Sequence, residues 1–310
     1  MKVLVAGATG AIGRPLLPLL IKAGHQVAGI TRSAEKASLL GAAGAEPVLC
    51  DVLDRAKLVE VVAKIRPEAV IHQLTDLLYD LDLRKLKEGY QKNNRIRSEG
   101  TKNLLDAARL SGVRRFLVQS MASWYRPDKG ALRTERDQLY LNAPEPIGKA
   151  VRALKYMETI VLESELDAIV LRYGAFYGPG TWFSRHGAAS QQILARKYPI
   201  IGGGEGVYSW LHIDDAAEAT AIALDRGQPG TYNVTDDEPA PVRDWLPVYA
   251  SILGAKPPRR VPALVARLAG GGGIVKWEST MPGASNARIK KMLDWKPHYE
   301  SWRRGFVEGL

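Results

Sequence analysis

The chain has 310 residues, 46% of them hydrophobic and 25% charged, which excludes a disordered or fibrous protein and leaves one large α/β domain or two interleaved lobes. Its formal net charge is +10, but the Lys and Arg residues are dispersed apart from small groups such as Arg259-Arg260, Lys290-Lys291 and Arg303-Arg304. The expectation is a solvated surface with phosphate sites, and no nucleic-acid partner.

Val3 to Ala6 is an apolar run too continuous for a one-sided strand, so it reads as a buried parallel strand. A helix is predicted from about Ala11 to Gly24, a strand over Val27 to Ile30 and a helix over Ala34 to Leu40. Pro47 to Cys50 gives the third strand, about Asp54 to Lys64 a helix, and Ala69 to Ile71 the fourth strand. A long helix should cover about Leu86 to Ser111 and stop at Gly112. Then come a strand at Phe116 to Val118, a helix from about Ile147 to Glu165 and a strand at Ala168 to Leu171. After Gly178-Pro179-Gly180 the pattern turns irregular and rich in Gly and Pro, with one return to the sheet near Tyr232 to Val234.

Strands alternating with helices of this length build right-handed parallel crossovers. The predicted fold class is therefore α/β, a Rossmann-type doubly wound parallel sheet with a smaller, mostly C-terminal substrate lobe. Residues 1–178 and about 207–236 form the dinucleotide-binding domain in this reading; about 179–206 and 237–310 form the lobe. The single cysteine, Cys50, excludes an internal disulfide and fits a reducing, cytoplasmic setting. The five His residues lack metal-ligand spacing, and no stretch of about 20 apolar residues suggests a membrane span.

Directly after the first strand stands Gly7-Ala8-Thr9-Gly10-Ala11-Ile12-Gly13, in the strand–turn–helix context that binds pyrophosphate. The first glycine allows the tight turn, the second close approach to the phosphates, the third packing of helix on strand. Backbone N–H groups at the helix start then face the anion. The second strand ends Ile30-Thr31-Arg32-Ser33, with Lys36 one turn on and no acid to take the ribose 2′-hydroxyl of NAD. Arg32, Ser33 and Lys36 suit a 2′-phosphate, so NADP is expected over NAD. Asp51, after the third strand, is placed to accept from the adenine amino group.

With these landmarks the sequence resembles the short-chain dehydrogenase/reductase superfamily, in its extended, NAD-dependent epimerase/dehydratase branch. The resemblance runs through GATGAIG at 7–13, CDVLD at 50–54, VIHQL at 70–74 and EGTKNLLDAARLSGVRRFLVQSMAS at 99–123. It continues through VLRYGAFYGPGT at 170–181, WLHIDDAAEATAIAL at 210–224, YNVTDDEP at 232–239 and LDWKPHYES at 293–301. It implies cofactor contacts at Gly7, Thr9, Gly10, Ala11, Ile12 and Gly13, then at Arg32, Asp51, Val52, Gln73 and Leu74. Ser120, Tyr173 and Gly174 would lie beside the nicotinamide. The family's dimer-forming helices match about Leu86 to Ser111 and about Ile147 to Glu165, which implies a homodimer; charges at Lys149, Arg152, Lys155 and Glu158 argue against it.

The family's proton relay is a Tyr with a Lys four residues later, one helical turn apart and facing one cleft. The matching stretch here reads Pro146-Ile147-Gly148-Lys149-Ala150-Val151, with Ile147 in the Tyr slot and Val151 in the Lys slot. The hydroxyl after the fifth strand is replaced by Met121, flanked by Ser120 and Ser123. Three readings stay open: another residue gives the proton, with Tyr125, Tyr140 and Tyr177 the nearest phenols in sequence, Tyr125 preferred and Ser120 and Ser123 beside it; water or substrate handles it; or the cofactor is bound without turnover. Tyr208 stands where sugar-nucleotide members carry a phosphate-gripping Arg, which disfavours a sugar nucleotide. Tyr177, Trp182, Phe183, Tyr208 and Trp210 are expected to line an apolar pocket. The reading is an NADP-preferring oxidoreductase acting on a small carbonyl, alcohol or enone. A non-catalytic NADP(H) sensor and a sugar epimerase or dehydratase are the alternatives.

Overall fold

In the computed structural model, residues 1–77, 86–128, 130, 132–270 and 272–310 are described. The first part of the chain alternates as expected: β1 (Lys2–Ala6), α1 (Gly13–Lys22), β2 (Gln26–Thr31), α2 (Ala34–Ala42), β3 (Glu46–Leu49), α3 (Arg55–Ile65) and β4 (Ala69–His72). Next come α4 (Leu86–Arg95), a π-helical turn (Ile96–Gly100), α5 (Thr101–Leu110), β5 (Arg115–Met121), α6 (Ile147–Leu162) and β6 (Asp167–Tyr173). The second part holds β7 (Ala175–Tyr177), α7 (Ala188–Leu194), β8 (Ile200–Ile201), β9 (Val207–Tyr208), β10 (Trp210–His212), α8 (Ile213–Arg226) and β11 (Gly230–Val234). It closes with β12 (Ala240–Pro241), α9 (Val242–Ile252), β13 (Arg260–Val261), α10 (Ala263–Gly270), α11 (Gly272–Thr280), α12 (Ala287–Leu293) and α13 (Trp302–Glu308).

Seven strands form one parallel sheet in the order β11-β6-β5-β4-β1-β2-β3. Every residue of β4 is buried, as is Val3 to Ala6 of β1, because helices cover both faces. One apolar cluster lies under α3, α5 and α6; a second lies under α1 and α8 and takes in Ile289, Leu293 and Trp295. The strand order reverses between β1 and β4, and the crevice beyond their carboxyl ends is where an open α/β sheet receives ligands.

The helix expected from Leu86 to Ser111 carries one π turn in its middle. There the Thr101 hydroxyl reaches back to the Ile96 carbonyl at 3.5 Å, five residues earlier. This extra residue per turn presents Arg97 and Thr101 inward, where both are buried. Among the described residues no helix is long and apolar enough to cross a membrane, and no group of three His, Cys, Asp or Glu could hold a metal.

Candidate functional site

Gly7 follows β1 with φ +95°, and a Cβ there would lie 2.8 Å from the Gln73 carbonyl carbon beyond β4. Only glycine allows the loop to turn this close to the neighbouring strand. The Gln73 N–H donates to Ala6 O at 2.8 Å and closes the crevice floor. A Cβ on Gly10 would meet Gly7 O at 3.1 Å, and one on Gly13 would run into the Ala8 carbonyl. No side chain caps α1 at Ile12. First-turn N–H groups left without a cap are an anion site. Arg14, on that turn, reaches the Gly178-Pro179-Gly180 loop, since a Cβ on Gly180 would lie 2.7 Å from its Nη2. The residues present therefore fit a dinucleotide, with Gly7 to Gly13 as its cradle.

At the end of β2 the Arg32 guanidinium lies 3.8 Å from Asp51 and is 62% exposed, an open cation. The Ser33 hydroxyl caps α2 by accepting from Lys36 N at 3.3 Å, and the Lys36 side chain is exposed. Asp51 accepts from Leu53 N at 2.9 Å, while the Val52 carbonyl is held by Asn103. Thr9 and Leu74 are half-buried at the crevice rim. Tyr173 is buried, its hydroxyl held by Gln73 at 3.0 Å and Thr220 at 2.6 Å. Gly174 passes so close to the Ser209 carbonyl that a side chain would not fit.

Ser120, in β5, has no exposed surface and donates to Glu158 at 2.6 Å. Glu158 also receives Arg172 Nε at 2.8 Å and Nη2 at 2.6 Å. Arg172 Nη1 donates to the Tyr125 hydroxyl at 2.9 Å, which in turn donates to Asn233 Oδ1 at 2.6 Å. The Asn233 N–H ends the chain on Glu135 at 2.7 Å. Tyr125 is fully buried, and desolvation pushes its phenol up to about 12 despite the Arg172 cation. Ser123 is half-buried beside this network. Sequence reasoning missed Glu158, Arg172 and Asn233. The first two left only a faint signal each, a carboxylate in line with the apolar stripe of α6 and a guanidinium in the run Val170-Leu171-Arg172-Tyr173, and neither pointed to the other.

Ile147 and Val151 are fully buried, and so are Ala150 and Leu154, the next pair on the same face. No register of α6 therefore offers the family's Tyr and Lys to a cleft. Tyr-x-x-x-Lys spacing does occur at Tyr125 and Lys129, but Tyr125 to Asp128 is not helical, and Lys129 lies outside the described residues. Met121 ends β5 half-buried, and against it stands Arg97, whose Nη2 lies 3.3 Å from Met121 Sδ and whose Cζ sits 4.7 Å from the Trp124 ring centre.

The aromatic residues expected to line one pocket are divided. Tyr177 and Trp210 are fully buried and Phe183 is buried, all three packed edge-on with Trp245, Tyr249 and Phe306 in the lobe's own core. Tyr208 and Trp182 remain partly exposed. Tyr208 stacks on Trp210 at 5.2 Å, and its hydroxyl lies 3.3 Å from that of Tyr198. Burial drives the Tyr208 phenol well above its ordinary pKa, with Tyr198, Glu278 and Tyr90 adding to the rise. Glu278, also desolvated, is pushed up to about 7.

A model of the NAD dependent epimerase/dehydratase family matches residues 3–235. A 3-diazoavenalumate denitrifying reductase from a Streptomyces species is 43% identical, with 98% of this chain and 99% of the relative aligned. A dihydroquinoline-1-oxide ketoreductase from Stigmatella aurantiaca is 25% identical over 92% of this chain and 83% of its own. In fold, the chain is similar to a UDP-glucose 4-epimerase from Thermus thermophilus solved with NAD, at a TM-score of 0.75 and 23% identity, covering 99% and 97% of the two chains. With the glycine cradle, the parallel sheet and these matches in place, the chain belongs to the NAD-dependent epimerase/dehydratase family, an NAD(P)-dependent branch of the short-chain dehydrogenase/reductase enzymes.

Proposed function

We propose that the protein is an NADP(H)-dependent reductase whose substrate accepts hydride at an electrophilic carbon without needing a proton donor, and that a diazo-bearing aromatic compound is that substrate. The observation that carries this reading is the closed, apolar set Ile147, Ala150, Val151 and Leu154 where the relay of a carbonyl reductase belongs. Reducing a carbonyl creates an alkoxide, and a general acid at that oxygen contributes roughly 100- to 10,000-fold. Here the Ser120 and Tyr125 hydroxyls are committed to buried partners.

Loss of a diazo group makes no such demand. Reduced nicotinamide, when bound, supplies a hydride and is left oxidised. On an aryl diazonium carbon the new C–H bond forms as the C–N electron pair leaves with nitrogen. The sum is Ar–N2⁺ plus hydride giving Ar–H plus N2, balanced in charge and free of any proton step. The chain's task is then to bind, orient and keep water away. The relative named as a denitrifying reductase aligns along the whole chain, which supports this class. The preference for NADP(H) rests on Arg32, exposed at the end of β2 with no acid at that position.

The test is to mix the enzyme and NADPH with diazotised 3-amino-4-hydroxycinnamate, following nicotinamide absorbance and N2 release, beside a panel of ketones and enones. One N2 per NADPH consumed is expected. NADPH oxidation by a ketone alone would reject the reading, and so would tight binding with no oxidation by any compound.

A further inference from the structure

Among the described residues Arg97 is a buried cation in no salt bridge. It is 5% exposed, and among those residues its Nη1 has no hydrogen-bond partner. The nearby carboxylate, Glu158, already has Oε1 filled by Ser120 and Arg172 and Oε2 by Arg172. What Arg97 touches is soft: the Met121 thioether through Nη2 and the Trp124 ring under Cζ. Burial drags the guanidinium down, Tyr90 and Glu158 offset this only in part, and it is left at about 10. An ion buried without a partner is strongly penalised, so its retention calls for an explanation.

Its position supplies one. Met121 is the last residue of β5, at the sheet end where ligands of this architecture bind, and it is half-exposed. Arg97 therefore lies directly behind the last side chain of β5 at that sheet end. A guanidinium offers a planar donor fork that matches a carboxylate. We propose that Arg97 is a specificity-determining residue that receives the carboxylate of an aromatic acid through Nη1, so that the enzyme selects acids over the corresponding neutral compounds. The proposal rests on the reading that substrate enters the cleft beyond Met121, and it adds the anionic end of that substrate.

The test is calorimetry on the enzyme saturated with NADP⁺, using cinnamate and cinnamamide as the probes. Cinnamate should bind about 30-fold more tightly, the range of a charge-assisted pair over its neutral counterpart. Arg97→Gln should bring the two probes within about threefold of each other, and Arg97→Lys should retain part of the preference. NADPH affinity and thermal melting of each variant report whether the fold survives. Should Arg97→Gln not fold, the wild-type ratio and Arg97→Lys decide the matter. Equal binding of the two probes, no cinnamate binding at millimolar concentration, or a preference that survives Arg97→Gln would overturn the assignment. Failure here is separable from failure of the diazo reading. Acid preference lost in Arg97→Gln without any N2 release leaves the anchor standing; N2 release with no acid preference removes the anchor and leaves the reductase.

Discussion

Arg172 grips Glu158 through two hydrogen bonds, Nε to Oε1 at 2.8 Å and Nη2 to Oε2 at 2.6 Å, with both side chains closed to solvent. The pair ties α6 to β6 and fixes Ser120 and Tyr125 on either side. Glu158→Gln leaves the guanidinium buried without its counter-charge, so a loss of about 3–5 kcal/mol is expected in urea unfolding. Replacing both by Met should cost less than the sum of the single changes, because no lone charge remains. A strictly additive double variant would show that the pair acts as two independent groups.

Tyr125→Phe separates packing from chemistry. The phenol has no exposed surface and is pushed up to about 12, so it is a poor proton donor at neutral pH. The variant removes a hydroxyl bonded to Arg172 and Asn233 and should lose about 1–3 kcal/mol of stability. Turnover measured well below the melting transition should stay within about threefold of the parent. A drop of about 100-fold with the fold intact would make Tyr125 the acid after all.

Much of this was legible in the sequence, for reasons that can be named. Buried parallel strands read as unbroken apolar runs, so Val3 to Ala6 and Ala69 to Ile71 stood out. The phosphate loop is local, and Gly7 and Gly13 are needed because backbone passes where a Cβ would sit. The pairing of Glu158 with Arg172 was not legible. It joins two elements, and a Glu among Lys149, Arg152 and Lys155 looks like one more surface charge. The inward turn of Arg97 depends on a π turn that no 3.6-residue pattern announces. Tyr177 and Trp210 have the composition of a pocket wall, and only packing against Trp245 and Phe306 shows them to be core.

Restoring the family's residues should fail. Ile147 and Val151 have no exposed surface, so Ile147→Tyr overpacks the α6 face at about 1–3 kcal/mol. Val151→Lys adds a charge that burial penalises, by several kcal/mol more. The double variant should melt far below the parent and gain no ketone reduction. A folded double variant that reduces ketones would mean that this face can open to the cleft.

Coenzyme choice is expected to turn on Arg32. Its guanidinium is exposed and only loosely paired with Asp51 at 3.8 Å, so Arg32→Ala should disturb nothing structural. NADPH affinity should fall by about tenfold or more, as a charge-assisted phosphate contact is lost, while NADH affinity stays level. Gly7→Ala is the control that loses both coenzymes, since φ +95° and the nearby Gln73 backbone leave no room for a methyl group. Fluorescence titration of the reduced coenzymes reads both outcomes. Equal losses of NADPH and NADH in Arg32→Ala would remove the 2′-phosphate argument.

Acid sensitivity should trace to His72. The ring is fully desolvated beside the Arg97 cation, which holds its pKa down at about 3 against 6.5 for the free side chain. Nε2 lies 3.0 Å from the Thr101 hydroxyl, and Nδ1 accepts from Leu74 N at 3.3 Å, a geometry that needs the neutral ring. Below pH 6.5 the unfolded chain takes up a proton that the folded chain refuses. The contribution is complete above 6.5 and is lost as pH falls toward 3, with a slope of up to about 1.4 kcal/mol per pH unit from this one group. Buried acids whose pKa values are raised, such as Glu278 and Asp236, act in the opposite sense, weakening the fold as pH rises. Urea unfolding across pH 4 to 7 should therefore show a shallower acid slope in His72→Gln than in the parent. The same slope in both would place the acid sensitivity elsewhere and show that His72 carries its proton inside the fold.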